Sequence, residues 1–149
     1  MSGLWRRKRL TKLSLTQSLY NSIIAHACAF PHAEVCGFVA GKNATCLSAY
    51  PVGNVSPTPE CAYFMDPHGQ ISAMSAIDLR GETLLGIYHS HPNTPARPSR
   101  RDIDGAAHSH IAYLIVSLID KRYPSMAPPT TQILFRQQVR SRPCRLRLE

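Results

Sequence analysis

The chain has 149 residues, of which 44% are apolar and 17% charged, and its formal net charge is +8. This length and composition indicate one folded domain with one core and exclude an intrinsically disordered chain. No apolar run approaches the roughly 20 residues that a membrane-spanning helix needs, so no membrane association is expected.

The first half of the chain predicts a helix followed by a hairpin. Residues 14–30 are predicted to be helical, and polar residues within them favour an amphipathic helix over a cleaved signal peptide. Its apolar face is expected to contain Leu15, Leu19, Ile23 and Ala27. Residues 35–40 and 44–52 are predicted to form the two strands of a hairpin, and residues 61–65 a further strand.

A second helix is predicted to follow at once. Asp66 is its expected N-cap, Pro67 its first helical residue and Gly81 its end. Its apolar face is expected to contain Ile71, Met74 and Ile77.

The second half of the chain predicts three strands and one helix. Residues 84–91 are predicted to be a strand, and a proline-rich loop leads to a helix from Ser99 to about residue 109. The most apolar strand, residues 111–118, is expected to be central in the sheet, and residues 130–139 form the last strand. Helices mixed with hairpins and one crossover indicate an α/β fold, with a mixed central β-sheet flanked by helices.

The basic residues are concentrated at the two ends of the chain. We therefore expect a basic N-terminal extension over residues 1–13, the folded domain over residues 14–139 and a basic C-terminal tail over residues 140–149. Such ends are usually solvated, and attraction to nucleic acid or an acidic partner is the alternative. No nucleic-acid-binding motif accompanies them, which argues against nucleic acid as a partner.

The five cysteines include no C-x-x-C pair, and their number is odd. This pattern argues against a disulfide framework and against a structural zinc site, so reduced thiols and a cytoplasmic location are expected. Cys36 is expected to be a buried apolar residue, and a regulatory role is the open alternative.

Two histidines at the end of the strand over residues 84–91 are candidate metal ligands. His89 and His91 lie two residues apart, so a strand places both side chains on one face, at a separation that suits one zinc ion. The alternative is a pair of solvated histidines at a strand end. A second His-Ser-His, His108 to His110, is predicted at a helix end, where the two side chains would point about 200° apart and could not share a metal. There His108 would meet the helix dipole favourably.

Three further residues complete the candidate site. Asp102 is the candidate third ligand, although Ser99 and Asp102 also fit a helix capping box. Glu34 precedes an apolar strand, where partial burial would raise its pKa toward the range of a general base. The alternative for Glu34 is an exposed loop glutamate.

The stretches AEVCGFVAG and HSHPNTPARPSRRD together resemble the JAMM (MPN+) metallopeptidases, most closely their short prokaryotic members. The family pattern is a Glu, then His-x-His-Pro, six residues, a Ser, two residues and an Asp, and every spacing fits here. The resemblance covers about residues 14 to 139 and implies a cytidine-deaminase-like three-layer architecture.

The same resemblance implies a set of roles. His89, His91 and Asp102 would bind one zinc ion per chain, with a water as the fourth ligand. Glu34 would be the acid/base, and Ser99 would donate a hydrogen bond to the oxyanion of the tetrahedral intermediate. The implied activity is a zinc-dependent peptidase or isopeptidase that hydrolyses the bond after the C-terminal Gly-Gly of a ubiquitin-like or sulfur-carrier β-grasp protein.

Two other classes of protein are considered. A catalytically silent MPN-type protein-binding module is the alternative, and metal analysis together with a cleavage assay separates it from an enzyme. A zinc deaminase would need H-x-E together with P-C-x-x-C, and that combination is absent. The short connections around the site also predict recognition of an extended tail rather than of a folded pair of domains.

Overall fold

The computed structural model describes residues 12–106, 108, 110–120, 132–135 and 145–148. The strands are β1 (Lys12–Leu15), β2 (Cys36–Lys42), β3 (Thr45–Val52), β4 (Thr83–His91), β5 (Ala112–Ser117), β6 (Gln132–Phe135) and β7 (Arg145–Leu148). The helices are α1 (Gln17–Ala29), α2 (Pro67–Leu79) and α3 (Arg100–Gly105). The described strands form one seven-stranded sheet in the order β6-β5-β4-β2-β3-β1-β7.

The sheet is mixed and carries helices on both faces. β2 is antiparallel to β3 and β4, whereas β4 is parallel to β5 and β1 is parallel to β3 and β7. α1 packs into a core cluster that contains Leu85 and Leu114. α2 packs into a separate cluster that contains Phe38 and Ile87. The predicted α/β fold, a mixed β-sheet flanked by helices, is therefore confirmed.

The first predicted helix begins later than expected. Lys12–Leu15 form β1, in which Leu13 and Leu15 are buried, so the prediction of helix from residue 14 is wrong for its first residues. Thr16 then caps α1, because its hydroxyl oxygen accepts a hydrogen bond from Leu19 N at 3.2 Å. The buried face of α1 is Leu19, Tyr20, Ile23, Ile24 and Ala27, close to the predicted one.

The second helix begins as predicted, but it buries a different face. Asp66 is the N-cap and Pro67 the first helical residue. The buried residues are Ala73 and Ile77, whereas Ile71 and Met74 are exposed. These two exposed residues were wrongly assigned to the core face. The small Ala73 lies one turn before Ile77, and this stripe faces the sheet.

Residues 61–65 do not form a strand, in contrast to the prediction. One isolated bridge joins Met65 to Asn54. The Asn54 side-chain oxygen accepts hydrogen bonds from Phe64 N at 3.0 Å and Ser56 N at 2.9 Å. A side-chain amide therefore satisfies backbone groups that a neighbouring strand would otherwise bind.

Three other differences concern the second half of the chain. α3 ends at Gly105, several residues before the predicted end. β5 is buried along its whole length but is second from one edge, so it is interior rather than central. β1 and β7 include residues that the sequence analysis assigned to the basic ends, and the domain boundaries stay a prediction.

No helix among the described residues is long and apolar enough to cross a membrane. The cysteines in the described part of the chain, Cys28, Cys36, Cys46 and Cys61, form no disulfide with one another, and their reduced state stays a prediction. The cytoplasmic location stays a prediction.

Tight packing between β2 and β4 yields a test of this fold. A Cβ atom on Gly37 would lie 2.6 Å from Tyr88 Cε1 and 2.6 Å from Tyr50 O. We expect Gly37→Ala to lower the free energy of unfolding by about 1–3 kcal/mol, since the added methyl group overpacks a filled core. Urea denaturation followed by circular dichroism measures this change.

Gly105→Ala is the matched control, because a Cβ atom there would meet nothing within 4 Å. Its free energy of unfolding should stay within about 0.5 kcal/mol of the wild-type value. Equal destabilisation by the two substitutions would contradict the described packing of β2 against Tyr88.

Candidate metal and catalytic site

The end of β4 and the first turn of α3 bring three candidate ligands together. The Nε2 atoms of His89 and His91 lie 3.1 Å apart. Asp102 Oδ1 lies 3.2 Å from His89 Nε2, and Asp102 Oδ2 lies 3.3 Å from His91 Nε2. In the part of the chain that the structure describes, no other group of three His, Cys, Asp or Glu side chains offers ligand atoms this close.

These distances fit a small tetrahedral cation. Zinc binds imidazole nitrogen and carboxylate oxygen at about 2.0–2.2 Å, so neighbouring ligand atoms of a tetrahedral site lie roughly 3.3 Å apart. Both histidines are buried, with 1% of His89 and 2% of His91 exposed. A set of two imidazoles and one carboxylate leaves one position open, which is typical of a catalytic rather than a structural zinc site.

The loop after β4 fixes the orientation of His91. His91 Nδ1 lies 2.8 Å from Pro95 O, and a carbonyl oxygen only accepts, so Nδ1 carries the hydrogen. The lone pair of Nε2 therefore faces His89 and Asp102. Ser117 holds the same loop, because its hydroxyl donates to Thr94 O at 2.6 Å.

A capping box orients Asp102. Ser99 N donates to Asp102 Oδ2 at 2.6 Å, and Asp102 N donates to Ser99 Oγ at 3.1 Å. The capping box that the sequence analysis weighed against a ligand role is therefore present. It coexists with the approach to the histidines, because Oδ2 accepts from Ser99 N and still faces His91.

The electrostatics of His89 and Asp102 suit a bound cation. Burial lowers the pKa of His89 and so favours its neutral form. Burial alone would raise the pKa of Asp102, but hydrogen bonds to His89 and His91 outweigh it and hold the pKa of this carboxyl well below its usual range. Burial alone would lower the pKa of His91, but hydrogen bonds to Asp102 and to the Pro95 carbonyl outweigh it and raise the pKa, so a metal would displace a proton there. An ionised carboxylate and a neutral imidazole are the forms that bind a metal.

Glu34 lies in a segment that is tied to β4 and to the loop after β3. Val35 N donates to Ser90 Oγ at 2.9 Å, and Ser90 N donates to Val35 O at 3.0 Å. Glu34 N donates to Pro59 O at 2.7 Å, and Glu34 O accepts from Asn54 Nδ2 at 2.9 Å. The backbone of Glu34 is therefore held from both sides.

The Glu34 side chain is buried rather than exposed, with 6% of the residue accessible. Burial raises the pKa of Glu34, and the positive charge of His91 lowers it. The negative charge of Asp102 raises it further, and the positive charge of Arg101 lowers it, so the resulting pKa is about 7. Glu34 Oε2 has no hydrogen-bond partner among the described residues. A carboxyl group with this pKa both gives and accepts protons near neutral pH.

Sequence reasoning missed two residues that shape this site. The Asn54 amide links Glu34 O to Ala62 O through Nδ2, so it joins the candidate base to the following loop. Tyr63 stacks on His89 with ring centroids 4.6 Å apart and an interplanar angle of 28°. Neither residue has a local sequence pattern that indicates this contact.

Cys36 and His108, which the sequence also singles out, lie outside the group of candidate ligands. Cys36 is fully buried, its Sγ donates to Val52 O at 3.4 Å, and burial followed by the charge of Glu34 raises its pKa to about 12. Such a thiol is expected to be inert, although a regulatory role is not tested. The expected position of His108 at a helix C-terminus is wrong, because α3 ends at Gly105. The rings of His108 and His110 lie 6.0 Å apart at 77°, rather than pointing apart as a helix would place them.

Comparisons with known proteins identify the family to which the chain belongs. Residues 16–131 match the family described as prokaryotic homologs of the JAB domain. The chain is 39% identical over 113 residues to a desampylase of Haloferax volcanii, over 72% of this chain and 81% of that protein. It is 31% identical over 119 residues to a CysO-cysteine peptidase of Mycobacterium tuberculosis, over 78% of this chain and 81% of that protein. The solution structure of protein DSY2949 from Desulfitobacterium hafniense has a TM-score of 0.74 and 30% identity, and the match covers 92% of both chains.

Proposed function

Because the chain belongs to the family of prokaryotic JAB-domain homologues, we propose that it is a zinc-dependent peptidase or isopeptidase. Its substrate would be a ubiquitin-like or sulfur-carrier protein, cut after the C-terminal Gly-Gly. The observation that carries this proposal is the convergence of His89, His91 and Asp102. The charges of His91 and Asp102 also act on the buried carboxyl group of Glu34.

In this proposal His89, His91 and Asp102 hold one zinc ion per chain. When bound, zinc supplies a Lewis acid that polarises a carbonyl group and lowers the pKa of a coordinated water to about 7. The capping box holds the Asp102 carboxylate toward the histidines, and the Pro95 carbonyl holds His91 in the matching tautomer. These two sets of hydrogen bonds orient the side chains in advance, so less conformational entropy would be lost when the metal binds.

Glu34 is proposed to move the proton. Its carboxylate accepts one proton from the attacking water as the new C–O bond forms. It then gives this proton to the leaving nitrogen as the C–N bond of the tetrahedral intermediate breaks. Its pKa of about 7 suits both transfers. Hydrogen bonds from Asn54 and to Pro59 hold the backbone of Glu34, which limits how far its side chain can move between the two transfers.

Ser99 is proposed to donate a hydrogen bond to the oxyanion. Its hydroxyl oxygen accepts from Asp102 N, which leaves the hydroxyl hydrogen free to donate. The residue is exposed beside the cluster, so a substrate carbonyl can approach it. The capping bond would orient the hydroxyl before the substrate arrives.

The names of two similar proteins, a desampylase and a CysO-cysteine peptidase, support a ubiquitin-like or sulfur-carrier substrate. The connection between His91 and Ser99 is short, which favours recognition of an extended tail. Glycine allows the substrate backbone to approach the metal closely, which supports cleavage after Gly-Gly.

The first test concerns the metal. Purified wild-type protein should contain about one zinc ion per chain, measured by plasma mass spectrometry, because the three ligand atoms have tetrahedral spacing. His89→Ala and Asp102→Ala should each lose most of this zinc. His110→Ala, in the second His-Ser-His, should retain it. Zinc that survives both ligand substitutions and is lost in His110→Ala would contradict the proposed metal site.

The second test concerns the substrate. A β-grasp protein whose tail ends in Gly-Gly joined to one further amino acid should be cut after the second glycine, as seen by intact-protein mass spectrometry. Replacing that glycine by valine should lower kcat/KM at least roughly tenfold, or about 1.4 kcal/mol. Equal cleavage of the two tails would indicate a general peptidase instead.

The third test separates the acid/base from the ligands. Glu34→Gln should keep zinc and lower kcat by about 10²–10⁴-fold, because it removes the proton acceptor and leaves the ligands in place. Glu60→Gln alters an exposed glutamate and should keep wild-type kcat. Loss of zinc from Glu34→Gln would make Glu34 a ligand, and unchanged turnover would exclude it as the base.

The fourth test separates catalysis by Ser99 from helix capping. Ser99→Ala should lower kcat by about 10²–10³-fold if the hydroxyl stabilises the oxyanion. Loss of the cap alone costs about 1 kcal/mol of stability. Thr16→Ala removes the cap of α1 and should show the stability loss without the rate loss. If the two variants share the same profile, Ser99 is a cap alone.

A further inference from the structure

Arg101 lies at the edge of the candidate site, next to Asp102 in the first turn of α3. Its side chain is exposed, and Nη1 lies 3.7 Å from the sulfur of Cys61, in the loop that also carries Tyr63. The guanidinium group therefore reaches from α3 toward the loop that packs on His89.

Arg101 differs from Arg100 in its ion pairing. Arg100 forms an ion pair with Asp104, with Nε 3.2 Å from Oδ2. Among the described residues, no carboxylate lies within ion-pair distance of Arg101, although its positive charge acts on the buried carboxyl group of Glu34. An arginine with free donors beside a reaction centre suits a planar anion, because its fork of N–H groups matches a carboxylate.

The proposed reaction would bring one carboxylate to the side of the site where the charge of Arg101 acts on Glu34. Glu34 returns a proton to the leaving nitrogen, so this nitrogen lies close to Glu34 when the C–N bond breaks. If the leaving group is an α-amino acid, its carboxylate carbon lies roughly 2.5 Å from that nitrogen. If the leaving group is the ε-amine of a lysine side chain, the lysine main-chain carbonyl is several bonds further away and carries no charge inside a protein.

We propose that Arg101 binds the α-carboxylate of the leaving amino acid, so that the enzyme prefers carrier proteins whose Gly-Gly terminus is joined to the α-amine of a single amino acid. This inference rests on the proposed peptidase function and adds the identity of the leaving group. The reaction consumes one water, breaks the amide C–N bond and releases the carrier carboxylate together with a free amino acid. No oxidant, reductant or other co-reactant is required.

The experiment compares three substrates that share one ubiquitin-like protein ending in Gly-Gly. The first carries alanine with a free carboxylate, the second carries alanine carboxamide, and the third is linked to the ε-amine of Nα-acetyl-lysine methylamide. The zinc-loaded wild-type enzyme should cleave the first with a kcat/KM about tenfold above the other two, because only the first substrate can form a charge-assisted hydrogen-bond pair with Arg101.

The decisive readout is the carboxylate-to-carboxamide ratio in variants. Arg101→Ala should reduce this ratio from about ten to about one, and Arg101→Lys should retain part of it, because lysine keeps the charge without the fork. Any effect of Arg101 on the pKa of Glu34 changes kcat/KM for the carboxylate and the carboxamide substrate by the same factor, so it cancels in the ratio. Arg100→Ala removes one positive charge from the same helical turn and should keep the wild-type ratio.

The outcomes separate the two proposals. If the wild-type enzyme cleaves none of the substrates, the proposed function fails and this inference fails with it. If it cleaves all three equally, the enzyme is a peptidase without this leaving-group preference, and the inference alone fails. If Arg101→Ala keeps the wild-type ratio, the preference does not depend on Arg101, and the inference fails as well. If Arg100→Ala and Arg101→Ala lower the ratio equally, the preference arises from general electrostatic attraction and not from a specific contact with Arg101, which contradicts the inference.

Discussion

The pair of hydrogen bonds between Ser90 and Val35 is the constraint on which the site depends. Ser90 is the middle residue of the His-Ser-His segment, and Val35 follows Glu34, so two bonds fix the backbone of the candidate base relative to the two candidate histidine ligands. Ser90 is fully buried, so its hydrogen bond with Val35 lies in a medium of low dielectric constant. Cys36 pairs with His89 directly after this contact, so the register of β2 against β4 continues from it.

A single carboxylate serves both the local structure and the site. Asp102 Oδ2 closes the capping box of α3 and also faces His91. These two roles do not compete, because a carboxylate oxygen accepts more than one interaction. The capping box restricts the side chain, so a helix of six residues can still present its candidate ligand with a defined orientation.

The loop after β3 has a large part in the site, although it contains little regular structure. Asn54 satisfies both ends of its amide through four backbone partners, Glu34 O, Ala62 O, Ser56 N and Phe64 N. The same loop stacks Tyr63 on His89 and brings Cys61 to Arg101. Loops held by such amide bonds can carry binding residues without belonging to the sheet.

The sequence by itself determined what depends on neighbouring residues. Period-two spacing placed His89 and His91 on one face of a strand, and local capping patterns located the starts of α2 and α3. Only the tertiary structure decided that β1 precedes α1, that α2 buries Ala73 rather than Met74, and that Glu34 is buried beside the cluster. Capping and alternation act within about four residues, whereas burial and strand pairing depend on residues distant in the chain.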